Sequence, residues 1–197
     1  MTARILAPRY RAKLMSPDDA ASLIRHGDTI GMSGFTVSGY PKAVPQALAA
    51  HISQSHAAGR EFRVNVWTGA STGPELDGAL AQADGIALRL PYQADPDCRN
   101  AINAGRIEYA DLHLGGVASY ARAGCLGTLD WAIIEVIKVL QDGRLVPGTS
   151  VGNNQLYLDL ARRVILEVND WHTGSLEGLH DISRHIPTAV SVPRRLQ

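Results

Sequence analysis

Three loops of small and hydroxyl-bearing residues recur along this sequence, each after a run of residues typical of a β-strand. The loops lie at 31–39, 68–73 and 147–154. A loop of this kind between a strand and a helix offers backbone N–H groups and a helix N-terminus, which favour an anionic or carbonyl ligand. Taken singly, each loop is also compatible with a tight turn that binds nothing. Their recurrence is the feature that most limits the possible folds.

Segments with strand and helix patterns alternate around these loops. Residues 62–67 alternate as a strand does, whereas 41–55 repeats its apolar residues at helical spacing. Residues 131–140 form the clearest β-run, and Asp142-Gly143 predicts a hairpin into a return strand at 144–146. This alternation predicts an α/β fold, a mainly parallel twisted sheet with flanking helices. In such a sheet the loops after parallel strands meet at one edge, where ligands bind.

Composition limits the classes of partner. The 19 basic and 19 acidic residues give no net charge, and no Lys/Arg run indicates a nucleic-acid surface. No apolar run approaches the length of a membrane span. Neither a dinucleotide fingerprint nor a metal-ligand motif is present, and Cys98 and Cys125 have no metal or disulfide-framework spacing. We therefore expect a cytoplasmic protein with no metal and with neither nucleic acid nor membrane as a partner.

The second loop carries a possible nucleophile. Gly69-Ala70-Ser71-Thr72-Gly73 fits the G-x-S-x-G elbow of serine hydrolases, between a predicted strand and a predicted helix. Ser71 would then attack the substrate, assisted by a later carboxylate and by a downstream histidine: His113, His172, His180 or His185. The elbow normally follows several strands, and only one convincing strand precedes this one. A hydroxyl in a ligand-binding loop is the favoured interpretation, with a serine hydrolase as the alternative.

Two carboxylates, Glu135 and Glu167, lie within apolar strand patterns. An ionised carboxylate at such a position needs a partner. The pattern fits site residues at strand ends and paired structural carboxylates equally well, so both interpretations stay open.

Several segments of the sequence, taken together, match the motif pattern of one protein family. They are Gly31-Met32-Ser33-Gly34-Phe35-Thr36, Pro41-Lys42-Ala43-Val44-Pro45, Gly69-Ala70-Ser71, Tyr92-Gln93, Asp111-Leu112-His113-Leu114, Val146-Pro147, Thr149-Ser150-Val151-Gly152-Asn153, Leu166-Glu167-Val168-Asn169 and Leu176-Glu177-Gly178-Leu179-His180-Asp181. In this order, over residues 4–182, they resemble the N-terminal half of the acetyl-CoA hydrolase/CoA-transferase family. An ordered series is far more specific than any single motif.

The resemblance implies the CoA-transferase α/β architecture, with the site in a cleft between two similar halves. It implies an acyl-CoA enzyme that moves CoA between small carboxylates such as acetate and succinate, or hydrolyses acetyl-CoA. A coenzyme A thioester would be its substrate, with no permanently bound cofactor. The nucleophilic glutamate belongs to the second half, so no residue of this chain is assigned a catalytic role. The complete enzyme is implied to be a homo-oligomer.

The resemblance also implies a substrate-binding role for five residues: Gly34, Phe35, Ser71, Gln93 and Asn153. We assign residues 1–182 to the N-terminal domain and 183–197, which lacks periodicity, to an irregular tail or truncated linker. The partner would be a missing C-terminal domain or subunit. We expect the chain to be inactive without it and to expose the apolar face that it covers. A non-catalytic ligand-binding module is the third interpretation.

Overall fold

The computed structural model describes residues 2–179 and 189–194. In this part of the chain eight strands form one sheet. They are β1 (Thr29–Met32), β2 (Val64–Thr68), β3 (Ile86–Leu90), β4 (Glu108–Tyr109), β5 (Trp131–Val139), β6 (Leu145–Pro147), β7 (Arg163–Asn169) and β8 (Ala189–Arg194). The α-helices are α1 (Pro8–Arg11), α2 (Pro17–Ala21), α3 (Ala43–Ala57), α4 (Ala79–Gln82), α5 (Pro96–Asn103), α6 (Val117–Arg122) and α7 (Asn154–Leu160).

The sheet has the order β4-β3-β2-β1-β5-β7-β8, and these seven strands run parallel. The predicted mainly parallel α/β sheet is therefore confirmed. The predicted hairpin at Asp142-Gly143 is confirmed as well, because β6 pairs antiparallel with β5. From β1 the chain builds outward to β4, then returns to place β5, β7 and β8 on the other side. This reversal creates a topological switch point between β1 and β5, where open α/β sheets bind ligands.

Helices cover both faces of the sheet. On one face α2, α3, α4 and α5 pack against Ile30, Val66 and Ile133. On the other face α1, α6 and α7 pack against Trp67, Ile134 and Leu166. The apolar residues of α3 recur at helical spacing and are fully buried: Val44, Leu48 and Ile52. Both apolar faces of the sheet are thus closed, as a parallel sheet requires.

Two predicted elements differ from the structure in extent. The pattern of residues 107–113 predicts a strand and the apolar spacing after Pro74 predicts a helix. In the structure the strand is reduced to β4, and the helix begins as a π-helical turn at Pro74–Gly78 before α4. That turn contains Asp77, whose carboxylate pairs with the guanidinium of Arg89 in β3. A tertiary ion pair therefore shapes the backbone here, where the apolar spacing alone indicates an ordinary helix.

The prediction of an irregular tail over 183–197 is wrong for residues 189–194. They form β8, which pairs in register with β7. Pro193 argues against a central strand, but β8 lies at the edge of the sheet, where proline is tolerated. The other residues of that stretch, and the pair His180-Asp181, lie outside the described residues.

Candidate functional site

The loops that follow β1, β2 and β6 meet beside the switch point. β1 and β2 end in register, Met32 opposite Thr68, so the chain leaves both strands side by side. β6 delivers the third loop from its pairing with β5, the strand on the other side of β1. The geometry therefore brings together the three loops that the sequence analysis singled out.

Ser33 is the point at which all three loops touch. Its side chain is fully buried, and its Oγ accepts a hydrogen bond of 2.7 Å from the backbone N–H of Asn153. Gly69 and Gly152 approach the same oxygen so closely that a Cβ at either position would overlap it. Small residues recur in these loops because the loops pack directly on one another around this hydroxyl.

The first and third loops are also joined at their outer ends. The Ser150 hydroxyl donates to the carbonyl oxygen of Ser38 at 2.9 Å, and the hydroxyls of Ser38 and Thr149 are hydrogen-bonded. Gly39, which adopts a φ of +66°, packs against Ser150. These contacts hold the two loops as one wall over the carboxyl end of β1.

Three of the predicted substrate-binding residues lie in this wall. Gly34 is buried against Tyr40, whereas Phe35 is 56% exposed at the tip of the first loop. Asn153 uses its backbone N–H to hold Ser33. The substrate-binding roles of these residues stay predictions, but the residues share one edge of the molecule.

The other two predicted residues are connected through the segment after β3. Ser71 is buried, and its Oγ accepts a hydrogen bond of 2.8 Å from the backbone N–H of Ala94. Gln93 precedes Ala94 and is also buried, and its side-chain oxygen accepts no hydrogen bond within the described residues. A buried amide oxygen without a donor is the type of group that a bound ligand satisfies.

The geometry of Ser71 does not favour a nucleophile elbow. Its hydroxyl donates to the carbonyl oxygen of Thr72 at 3.1 Å and accepts from Ala94. Among the described hydrogen bonds, none joins Ser71 to a histidine. His180 and His185, two of the candidate bases, lie outside the described residues. Ser71 is therefore placed to hold one loop against another.

A buried ion pair lies beneath the second loop and was not predicted from the sequence. The Arg89 guanidinium binds the Asp77 carboxylate through two nitrogens, at 2.7 and 2.9 Å, and both side chains are fully buried. The same carboxylate accepts from the Thr72 hydroxyl at 2.7 Å, while Arg89 also donates to the carbonyl oxygens of Leu90 and Tyr92. The pair thus ties the second loop to the segment that carries Gln93.

Electrostatics keep the Arg89 guanidinium ionised. Burial acts to lower the pKa of Arg89, but the adjacent Asp77 carboxylate outweighs burial, and the pKa is raised above its ordinary value. The signal in the sequence was a single arginine inside the apolar run of β3, a position that requires a carboxylate partner.

Glu135 and Glu167 lie side by side on β5 and β7 and are both fully buried. The Glu167 carboxylate accepts from the backbone N–H groups of Lys42, at 2.7 Å, and Val44, at 3.0 Å. It therefore caps the N-terminus of α3, where a negative charge is stabilised by the helix dipole. Glu135 accepts from the Asn169 side chain at 3.2 Å and lies 3.8 Å from the Lys42 ammonium. Of the two interpretations, these contacts support structural carboxylates.

Exposed apolar side chains follow the carboxyl ends of three parallel strands. Phe35 and Val37 come after β1, Tyr92 after β3 and Trp171 after β7. Trp171 is 74% exposed. Exposed apolar side chains along one edge of a sheet are typical of a surface that contacts another chain, another domain or a ligand.

The two cysteines offer a test of packing beneath the site. Burial raises the pKa of the Cys98 thiol to about 12, with a further contribution from Asp77, whereas Cys125 is exposed. At pH 8 the Cys98 thiol is therefore almost entirely protonated, and its alkylation should be very slow. We expect iodoacetamide to label Cys125 alone in the folded chain and both cysteines in urea, as read by peptide mass spectrometry. Equal labelling of both cysteines without denaturant would contradict the described packing around Cys98.

Residues 2–179 and 189–194 contain neither a membrane-spanning helix nor a metal-binding cluster of side chains. No helix in this part of the chain is long and apolar enough to cross a membrane. Within the same residues, no group of three or more His, Cys, Asp or Glu side chains is arranged to hold a metal ion.

The fold and the loop cluster define an α/β protein with a candidate ligand site at its switch point. The family model for the acetyl-CoA hydrolase/transferase N-terminal domain matches residues 3–194. The chain therefore belongs to the acetyl-CoA hydrolase/CoA-transferase family, and the resemblance inferred from its motifs is confirmed. The match extends beyond residue 182, through β8.

Curated relatives carry two kinds of activity in their names. The succinyl-CoA:acetate CoA-transferase of Clostridium kluyveri is 40% identical over 192 residues, covering 98% of this chain and 34% of the relative. The propanoyl-CoA:succinate CoA transferase of Escherichia coli K12 is 37% identical over 168 residues, covering 85% of this chain and 34% of the relative. The acetyl-CoA hydrolase of Saccharomyces cerevisiae is 38% identical over 186 residues, covering 91% of this chain and 35% of the relative. The chain spans about a third of the length of these relatives.

Solved structures show the same fold. RipA from Yersinia pestis superposes with a TM-score of 0.71 at 19% identity, over 95% of this chain and 43% of that one. An acyl-CoA transferase from Escherichia coli O157:H7, solved as a thioester complex with CoA, superposes with a TM-score of 0.68 at 10% identity. The superposition covers 92% of this chain and 47% of that one. The expected CoA-transferase architecture is therefore confirmed.

Proposed function

We propose that this domain forms the substrate-binding wall of an acyl-CoA enzyme that moves CoA between small carboxylates such as acetate and succinate, or hydrolyses acetyl-CoA. The observation that supports this most is the convergence of three small-residue loops at the switch point, in a chain that belongs to this family. A CoA thioester is then the substrate, and no permanently bound cofactor is required.

In this proposal the five predicted residues divide into two groups. Gly34, Phe35 and Asn153 line the cleft, while Ser71 and Gln93 position the substrate carboxylate. In Gln93 the side-chain nitrogen is the group that can donate to a carboxylate. Its buried oxygen, which accepts no hydrogen bond among the described residues, would need a donor from another part of the ligand. The Arg89–Asp77 pair holds the two segments that carry Ser71 and Gln93, so it acts through them as a positioning pair.

The catalytic glutamate is proposed to come from a C-terminal half that contacts the carboxyl edge of the sheet. That glutamate would attack the thioester carbonyl and release the CoA thiolate. The exposed Phe35, Val37, Tyr92 and Trp171 support the assignment of this edge as the covered surface. We further propose that the complete enzyme is a cytoplasmic homo-oligomer. Residues 1–197 alone would catalyse neither CoA transfer nor acetyl-CoA hydrolysis.

An activity assay on the purified 197-residue chain tests this proposal. We expect no transfer of CoA from succinyl-CoA to acetate, and no hydrolysis of acetyl-CoA, above the rate without protein. Turnover that Ser71→Ala abolishes would instead favour the serine hydrolase. Turnover that survives Ser71→Ala would place the nucleophile elsewhere within this chain. Either result would overturn the assignment of the nucleophile to a second half.

A further inference from the structure

A small cavity lies at the other edge of the sheet, at the amino ends of β1, β5 and β7. Its volume is about 180 Å³, and it is lined by Arg25, Asp28, Asp130, Trp131, Arg162 and Arg163. Strand β5 rises about 13 Å between Trp131 and Glu135, at about 3.3 Å per residue. The cavity is therefore separate from the loop cluster at the carboxyl edge.

Three guanidinium groups surround this cavity. Arg162 reaches the Asp130 carboxylate at 3.3 Å. The guanidinium of Arg163 lies 5.2 Å from the centre of the Trp131 ring, a cation–π contact that restricts its orientation. Within the described residues, no ion pair or side-chain hydrogen bond engages the guanidinium of either Arg25 or Arg163. Both groups are exposed at the rim and retain their donors for a ligand.

The two carboxylates of the cavity are engaged by local structure. Asp28 Oδ2 accepts from the backbone N–H of Arg25 and from the Trp131 indole N–H, both at 2.9 Å. Asp130 Oδ2 accepts from the backbone N–H of Thr29 at 3.0 Å. The carboxylates thus fix the turn before β1 to the start of β5, and they offset two of the three positive charges. One formal positive charge remains.

We propose that this cavity is a binding site for a small polyoxygen anion, held by the guanidinium groups of Arg25 and Arg163. Guanidinium forks match the paired oxygens of carboxylate and phosphate groups. The cavity is smaller than the ~300–1,000 Å³ of sites for drug-sized ligands, so it excludes CoA and selects ions the size of inorganic phosphate or a four-carbon dicarboxylate. Because two carboxylates oppose the anion, binding should be in the millimolar range.

Titration of the ¹⁵N-labelled chain tests this site directly. Inorganic phosphate and succinate are added in separate series, with chloride holding the ionic strength constant. Trp131 lines the site and its indole N–H donates to Asp28, another lining residue. Trp131→Phe identifies the indole cross-peak among those of the three tryptophans. We expect a saturable shift of this peak with at least one of the two anions.

The variants Arg25→Gln and Arg163→Gln should each raise the dissociation constant about tenfold. Arg60→Gln is the matched control, because it removes an exposed arginine that does not line this cavity and should leave binding unchanged. Saturation by phosphate alone assigns a phosphate site, by succinate alone a dicarboxylate site, and by both a general anion site. A linear shift without saturation for both anions, or unchanged binding in both cavity variants, would overturn the proposal.

Discussion

Replacing Arg89 by methionine is expected to lower the free energy of unfolding by about 3–5 kcal/mol, because it leaves a buried carboxylate without its cation. Asp77 would keep the hydrogen bonds from Thr72 but lose two from the guanidinium. For a chain of this size the loss corresponds to a fall in melting temperature of roughly 6–20 °C. The carbonyl oxygens of Leu90 and Tyr92 lose a donor at the same time.

Urea unfolding of three variants separates charge from packing. Adding Asp77→Asn to Arg89→Met should recover part of the loss, because asparagine removes the buried charge and still accepts from Thr72. Arg144→Met is the matched control, since its ion pair with Asp142 is exposed, and we expect no measurable change there. A similar urea midpoint for Arg89→Met and Arg144→Met would contradict the account of the buried pair.

Replacing Gly152 by alanine is expected to cost about 2–4 kcal/mol of unfolding free energy. Two effects combine: a Cβ overlaps the Ser33 hydroxyl, and the backbone at Gly152 has a φ of +49°. Overpacking of a closed site typically costs about 1–3 kcal/mol, and a left-handed conformation of a residue with a side chain adds about 1 kcal/mol. The loops would separate around Ser33, so the wall of the candidate site should loosen as well.

Gly59→Ala isolates the backbone contribution. Gly59 has a φ of +71°, but a Cβ there meets no atom within 4 Å. We therefore expect Gly59→Ala to cost about 1 kcal/mol in chemical unfolding, clearly less than Gly152→Ala. Adding Ser33→Ala should relieve part of the Gly152→Ala loss, because the nearest clashing atom is gone. Equal costs at the two glycines would show that the loops do not pack around Ser33 as described.

Local patterns were sufficient to predict most elements of the fold. The alternation over 62–67 and the β-run over 131–140 correspond to β2 and β5, and the apolar spacing after Pro41 corresponds to α3. Each pattern places apolar side chains on the face of the element that becomes buried, so the predicted element forms in the folded chain. β8 was not predicted because Pro193 counts against a strand, although an edge position tolerates proline.

Contacts between segments distant in the sequence could not be predicted in the same way. The three loops were expected at one edge of the sheet, but the packing of Gly69 and Gly152 on Ser33 depends on strand order and register. The same holds for Glu167, which caps α3 from a strand more than a hundred residues later. Its position in an apolar strand indicated a partner, without indicating that the partner is a helix N-terminus.

The central claim, that this domain is one wall of a CoA-transferase site, is tested most directly by a fusion protein. Residues 3–194 of this chain would replace the matching region of the Clostridium kluyveri succinyl-CoA:acetate CoA-transferase, which is 40% identical over it. Transfer of CoA from succinyl-CoA to acetate is then measured beside the parent enzyme. We predict that the fusion transfers CoA and that the 197-residue chain alone does not. A folded fusion without transfer, beside an active parent, would contradict the claim.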